Sequence, residues 1–356
     1  MKENKASYRQ IMKATSLFGG VQVFNILISI VRSKIIALLL GPAGMGIAGL
    51  LNSTTGLVGA LTNFGLGISA VRNVAEAHES GNDKRIAKVV IVFRRLVWFT
   101  GLLGALVTLF LSSWLSQITF GNKEYTIAFI WLSCTLLLSQ LTRGQNVLLQ
   151  GTRKLQYLAK ANLLGSFLGL LISVPIYYFY GIDGIVPAII ISSILSFFIA
   201  NFFANKVKFE KIKVTLEETR LESRSMLQLG IMLSLSGLMS TGAAFILRIF
   251  ISNTGGVEDV GLYAAGFSII NTYVGLVFTA MGTDYFPRLS GIAHDFIKSN
   301  LLINQQAEIG VLILAPILAI FLIFIDWIVV LLYSSKFIPI NEMLHWAALG
   351  MYFKVV

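Results

Sequence analysis

Seven ionisable side chains stand where a lipid bilayer makes charge expensive: Arg32, Lys34, Arg72, Arg143, Arg248, Asp284 and Arg288. Each lies inside or at the end of a long apolar run. Ionisable groups at membrane depth face a cavity, a partner or water. Six of the seven are cations, and five of those are arginines. A guanidinium offers a planar fork of N–H donors that grips a phosphate two oxygens at a time, which lysine cannot do. The chemistry these residue types point to is therefore the binding of an anion, above all a phosphate or diphosphate. Arg32 and Arg248 are the sharpest candidates, and two readings of them are open. They face a central cavity from matching positions, or they snorkel to the outer headgroups with Lys34. Lys34 is two residues from Arg32 and so lies on a different helix face. Arg143 has Gln140, Gln145 and Asn146 close by; that polar group lines a cavity or merely snorkels. Arg72 and Arg288 end their spans at the inner face, where topology alone would also put basic residues. Asp284, four residues before Arg288, is an ion-pair partner at helical spacing or a candidate coupling carboxylate. Asp326 beside Trp327 reads as an interfacial residue.

These residues are carried by elements that repeat. One apolar span holds Arg248, a short loop follows at 252–260, and a run opening on Gly261 closes on Arg288. Near the N-terminus a span holds Arg32, a Gly/Pro loop follows at 41–46, and a run from Gly46 closes on Arg72. In both copies the last arginine stands 40 positions after the first. Internal repeats define architecture before local features do, and two similar halves in a membrane protein imply a two-lobed transporter. The expected organisation is an N-terminal lobe over 1–204 with spans 1–6. A polar linker follows over 205–225, and a partial C-terminal lobe over 226–356 holds spans 7–9 and the start of a tenth.

Composition sets the class. The protein is 56% hydrophobic and 13% charged with a mean hydropathy of +0.78, which excludes a soluble domain. About nine runs reach the 18 or so residues needed to cross a roughly 30 Å hydrocarbon core. A β-barrel would show short alternating segments instead. The fold class is all-α, a polytopic integral membrane protein. The basic N-terminus leads into a long apolar run without a small-residue cleavage pattern, so it reads as a retained first helix. Lysines and arginines crowd the segments 2–13, 72–95, 143–160 and 205–224 and are sparse in the alternate loops. That asymmetry puts the N-terminus on the cytoplasmic side, and topology absorbs most of the formal charge of +11. Nucleic acid is not needed to explain it.

Catalytic and cofactor patterns are missing from the sequence. His78, His294 and His345 are scattered, without the spacing of a metal site. The single cysteine, Cys134, sits in an apolar run. The Gly41–Gly46 stretch follows no strand and precedes no Lys-Ser/Thr, so it is a loop between spans rather than a phosphate cradle. Gly46, Gly49, Ser53, Gly56 and Gly59 recur at three- and four-residue steps, as close helix packing requires. No enzyme, cofactor or metal is expected.

Four short stretches carry a resemblance: Leu40-Gly-Pro-Ala-Gly-Met-Gly46, Val260-Gly-Leu-Tyr263, Tyr285-Phe-Pro-Arg-Leu-Ser290 and Leu331-Leu-Tyr-Ser-Ser-Lys-Phe337. In this order on these spans they resemble Wzx-type polysaccharide flippases, more narrowly the O-antigen and enterobacterial-common-antigen translocases. These belong to a superfamily that includes the MATE drug exporters and the lipid II flippase. The resemblance implies two pseudo-symmetric helical lobes around a cationic cavity that opens alternately to either side. It implies a polyprenyl-diphosphate-linked glycan as substrate, a bacterial inner membrane, and polysaccharide polymerase and chain-length machinery as neighbours. Carried onto this sequence, Arg32 and Arg248 fit the cavity best, and Arg72 and Arg288 less well. Members of the family usually have twelve or more spans, so the resemblance implies either a truncation at the C-terminal end, with the second lobe incomplete, or a second lobe completed otherwise. Other classes stay in view. A MATE-like drug exporter would want carboxylates in its cavity, and spans 1–6 have none at mid-span. A membrane glycosyltransferase or ligase would want a catalytic set in a sizeable outer loop. A non-transporting scaffold is the third.

Overall fold

A computed structural model describes residues 2–79, 81–207, 209, 210, 212–274, 285, 289 and 295–353. Asp284 and Arg288 lie outside these described residues. Among them there are helices and short turns but no strand. In sequence order the helices are α1 (Lys2–Leu39), α2 (Gly41–Asn63), α3 (Leu66–Glu79), α4 (Asp83–Phe110), α5 (Ser112–Phe120), α6 (Thr126–Gly151) and α7 (Leu155–Tyr180). There follow α8 (Ile185–Ala204), α9 (Leu216–Gly255), α10 (Val257–Ile269), α11 (Phe296–Ile323), α12 (Ile325–Leu332) and α13 (Ile340–Phe353). Six helical stretches among the described residues are long and apolar enough to cross a membrane. One of them, Leu155–Ala204, contains both α7 and α8. The protein is an all-α polytopic membrane protein.

The helices overrun their apolar stretches, because local caps rather than hydropathy decide where they begin. Asn82 caps α4 by accepting from the Lys84 and Arg85 amides, so α4 starts in the charged segment and not at the apolar boundary. Thr215 and Glu218 form a reciprocal capping box that starts α9 inside the expected linker. Such a cap is worth about 1 kcal/mol.

The two inter-span loops of the repeat are far shorter than the sequence implies. α1 runs to Leu39 and α2 starts at Gly41, whose φ of 67° turns the backbone in the left-handed region. Pro42 then stands in the first turn of α2, where its missing N–H costs nothing. In the second copy α9 ends at Gly255, and Gly256, with φ 94°, starts α10 at Val257. Gly41 and Gly256 hold equivalent places in the two copies, and a side chain would be strained at either.

Two compact units emerge. The first comprises Met1–Arg32 and Ala48–Gly256. Within it α7 and α8 form an antiparallel hairpin around the 3-10 turn Gly181–Gly184: a Cβ at Gly165 would meet Ser196 at 3.5 Å, and one at Gly169 would meet Ser192 at 3.6 Å. α4 and α6 also pack antiparallel and close, with Gly101 against Leu137 and Gly144 against Val97. A core around Phe93, Leu66, Val74, Val90 and Met226 knits α3, α4, α6 and α9 together. Lys88 of α4 donates to Glu218 of α9 at 2.8 Å, and Arg95 donates to the Val214 carbonyl at 3.1 Å. The second unit comprises Ser33–Ile47 and Val257–Val356. Its core joins Ala37, Ala265, Ile269, Val329, Phe337 and Leu344, and the Tyr333 hydroxyl donates to the Ala265 carbonyl at 3.0 Å. Here the start of α2 crosses α10 backbone to backbone. A Cβ at Gly46 would lie 1.9 Å from the Val257 carbonyl oxygen, and one at Gly261 would lie 1.9 Å from that of Pro42. These two glycines open the second span of each repeat copy.

Candidate functional site

Within the first unit, α2, α4, α6 and α8 enclose a polar cavity of about 200 Å³. Asn52, Thr55 and Thr62 of α2 line it on one side, and Gln140 and Arg143 of α6 on another. Thr100 of α4 and Ser193 of α8 complete the polar wall. The helical period explains why α2 contributes so many groups. Residues 52, 55, 56, 59 and 62 fall on one stripe. Gly56 and Gly59 on that stripe face open space, since a Cβ at either would meet nothing within 4 Å. They widen the cavity instead of packing a helix, whereas Gly46, further up the same helix, packs backbone to backbone.

The hydroxyls in this wall are tied to their own helices. Thr55 donates to the Leu51 carbonyl at 2.8 Å, Thr62 to Val58 at 2.9 Å and Thr135 to Leu132 at 2.6 Å. Such back-bonding satisfies the donor without a second helix and leaves oxygen lone pairs toward the cavity. Asn52 likewise donates its amide N–H to the Ala48 carbonyl at 2.8 Å. Gln140 cross-links the wall by donating to Asn63 at 2.8 Å and to Thr100 at 3.2 Å. Among the described residues the one charged lining group is Arg143. It is exposed to the cavity and makes no ion pair among the described residues. No described carboxylate lines the space, so its hydroxyls, amides and guanidinium suit neutral polyols and anions, and no negative charge there favours an organic cation.

The other candidate cations are placed as follows. Arg32 of α1 is half-buried and donates from Nη2 to the Ser166 carbonyl of α7 at 3.1 Å. Gly169 makes room for it, since a Cβ there would stand 3.3 Å from that nitrogen. The Arg32 Nε is buried with no acceptor among the described residues. Arg248 of α9 is half-buried as well, and its Nε has no described acceptor either. Both arginines belong to the first unit. Lys34, in the second unit, donates to the Val330 carbonyl at 2.9 Å. Arg72 is exposed and pairs with Glu76 at 2.7 Å one helical turn on. Asp326 accepts from the Asn341 amide. Among the described residues no group of three or more His, Cys, Asp or Glu side chains could hold a metal ion.

Sequence reasoning named Arg143 and Gln140 but passed over the hydroxyl and amide residues that wall the cavity. Asn52, Thr55 and Thr62 on α2, with Thr135, Ser139 and Gln140 on α6, carry a legible signal. They are polar groups recurring at helical spacing within otherwise apolar spans.

Comparison with known proteins places this architecture. A family model described as "Polysaccharide biosynthesis protein" matches residues 35–342. Two curated relatives, the Lipid III flippases of Escherichia coli (strain K12) and Shigella flexneri, are each 22% identical over 338 residues. Each alignment covers 90% of this chain and 77% of the relative. Among solved structures, an inward-facing conformation of a multidrug resistance MATE family transporter of the MOP superfamily superposes with a TM-score of 0.75 at 17% identity. It covers 93% of this chain and 78% of that one. A MOP superfamily transporter from Pyrococcus furiosus, described as having a binding pocket of reversed polarity, gives 0.65 at 17% identity, with 96% and 80% covered. These likenesses establish a shared fold.

Proposed function

The chain belongs to the polysaccharide biosynthesis protein family, and from that premise we propose that it is a membrane flippase for a polyprenyl-diphosphate-linked oligosaccharide. It is a transporter of the flippase class and not an enzyme. The observation that carries the substrate reading is the acid-free cavity walled by hydroxyls and amides, with Arg143 its one charge among the described residues. Sugar hydroxyls both donate and accept, and a wall of Thr, Ser, Asn and Gln oxygens matches them. The diphosphate falls to the guanidiniums. Arg32 and Arg248 each hold a buried Nε without a described acceptor. A buried donor left unpaired costs roughly 1–3 kcal/mol, a cost that a phosphate oxygen removes. Lys34, Arg72 and Arg288 are further cations for the same anion, and Asp284 is the coupling candidate. The polyprenyl tail stays in lipid.

Mechanistically the cycle needs two states of differing affinity for the glycan, since a ligand moves an equilibrium only by binding its states unequally. The repeat supplies the elements for it. We read 1–204 and 226–356 as lobes joined through 205–225, rocking to alternate access. We read the Lys and Arg distribution as an N-terminus on the cytoplasmic side, with a bacterial inner membrane as the setting, so the glycan moves outward. O-antigen-type repeat units are the expected cargo, handed on to polymerase and chain-length machinery.

A MATE-like exporter of cationic drugs is the competing reading, and the lack of a carboxylate among the described lining residues disfavours it. Proteoliposomes separate the two. A fluorescent polyprenyl-diphosphate oligosaccharide should equilibrate between leaflets in the presence of the wild-type protein. Arg143→Gln should slow that movement about tenfold, the lower end for a charge-assisted hydrogen bond. Movement of lipophilic cations with no movement of the labelled glycolipid would sink the proposal.

A further inference from the structure

A second cavity, of about 220 Å³, lies in the first unit among α4, α6 and α8. It is near the ends of these helices that adjoin the basic segments 72–95 and 205–224. Its polar lining is Arg94, Gln145, Asn201 and Asn205, with Trp98 and Phe197 beside them. The floor is apolar and buried, formed by Phe93, Val97, Leu141 and Leu148. Gly144 also lines it, where α6 comes close enough to α4 that a Cβ would press on Val97 at 2.9 Å. Arg94 and Asn205 are exposed at the rim and Trp98 is 51% exposed. Nothing in the proposed glycan pathway uses these groups.

Three features of the cavity converge on one ligand chemistry. Arg94 forms no ion pair among the described residues, so its guanidinium fork is available to a phosphate. Gln145 donates its amide N–H to Asn201 at 3.3 Å, while its Oε1 is buried without a described donor. The site thus holds a positive charge for an anion and, beside it, a buried acceptor that requires a hydroxyl or N–H. Trp98 stands one helical turn beyond Arg94, toward the apolar part of α4. A tryptophan beside a basic group marks the headgroup level of a bilayer. Just past the end of α8, Lys206 lies over Phe202, with its ammonium 4.4 Å from the ring centre, adding a second cation at the same end. The volume far exceeds the roughly 10–15 Å³ that one water needs.

We propose that this cavity is a headgroup site for an anionic membrane phospholipid that carries hydroxyls, phosphatidylglycerol or its cardiolipin dimer. The phosphate sits on Arg94 with the Asn205 amide at the rim. A glycerol hydroxyl donates to Gln145 Oε1, and the acyl tails leave past Trp98 and Phe197. Phosphatidylcholine satisfies neither requirement, having no net negative charge and no donor.

Native mass spectrometry of the purified protein tests this, with phosphatidylglycerol, cardiolipin, phosphatidylcholine and sn-glycerol-1-phosphate as probes. Wild type should retain one phosphatidylglycerol or cardiolipin in preference to phosphatidylcholine. Arg94→Gln should weaken that retention about tenfold. Arg85→Gln, which removes an exposed charge elsewhere on α4, should leave it unchanged. Should Arg94→Gln fail to fold, Asn205→Ala at the exposed rim and Gln145→Leu are expected to lower the same preference. Equal retention of phosphatidylcholine, or full phosphatidylglycerol binding by both Arg94→Gln and Gln145→Leu, overturns the assignment. So does tight binding of glycerol phosphate alone, which would make the ligand a soluble phosphate. Displacement of phosphatidylglycerol by polyprenyl diphosphate would likewise overturn it, by assigning the cavity to the transported lipid. Binding is read without transport, so failure here leaves the flippase proposal standing and the reverse also holds.

Discussion

Gly261→Ala should damage this protein far more than a change of one methyl group suggests. The added Cβ would sit 1.9 Å from the Pro42 carbonyl oxygen, and its reciprocal at Gly46 would sit 1.9 Å from that of Val257. Ordinary contact begins near 3.4 Å, so α10 and the first turn of α2 must part by about 1.5 Å. Both obstructing atoms are backbone, so no side-chain rotation relieves the clash. Overpacking of this kind costs roughly 1–3 kcal/mol, and each kcal/mol lowers Tm by roughly 2–4 °C in proteins of 150–250 residues. A drop of roughly 2–12 °C is therefore expected for either substitution in detergent-solubilised protein. Gly56→Ala and Gly59→Ala are the internal controls, because a Cβ at either enters open space. Alanine in a helix interior is favoured over glycine by roughly 0.5–1 kcal/mol, so these variants should melt at or slightly above wild type. Both narrow the polar cavity and should slow the glycolipid assay while leaving Tm intact. Melting of Gly261→Ala with wild type, or of Gly56→Ala as low as Gly261→Ala, would refute the packing roles assigned to these glycines.

Two further outcomes follow from the assigned roles. Arg248→Gln and Arg32→Gln should each lower glycolipid movement about tenfold or more, with lysine rescuing only in part because it lacks the planar fork; full rescue by lysine at both positions would mean that these side chains only snorkel. In a Cys134→Ser background, which removes the one exposed native thiol, a cysteine at exposed Lys123 should react with an impermeant thiol reagent added outside intact cells, and one at exposed Lys84 should not; the opposite pattern would reverse the orientation and the direction of export.

The all-α membrane class was legible in the sequence because hydropathy is a local property, and a run of apolar residues must be helical wherever lipid surrounds it. The Arg32/Arg248 and Gly46/Gly261 correspondences are likewise spacings along the sequence, readable without the fold. So too was the helix stop at Gly181–Gly184. What the sequence left open depends on neighbours distant along it. Gly46 and Gly56 stand ten residues apart on one small-residue stripe, yet one packs on the backbone of α10 and the other faces an open cavity. Only the crossing of α2 over α10 separates their roles. Hydropathy could not locate the ends of α4 and α9, because Asn82 and Thr215 extend the helix into polar sequence by capping its free amides. The loops at Gly41 and Gly256 shrank to single left-handed glycines because helical hydrogen bonds continue wherever one residue with positive φ can make the turn. The candidate site divides in the same way. Charge within an apolar run singled out Arg32, Arg143 and Arg248 from residue type alone, since burial of a guanidinium is costly in any fold. That Arg143 shares a cavity with Asn52 and Thr62, while Arg32 is held by the Ser166 carbonyl, was decided by which helices pack together. Helical period sets the face a side chain occupies, and tertiary packing sets what that face meets.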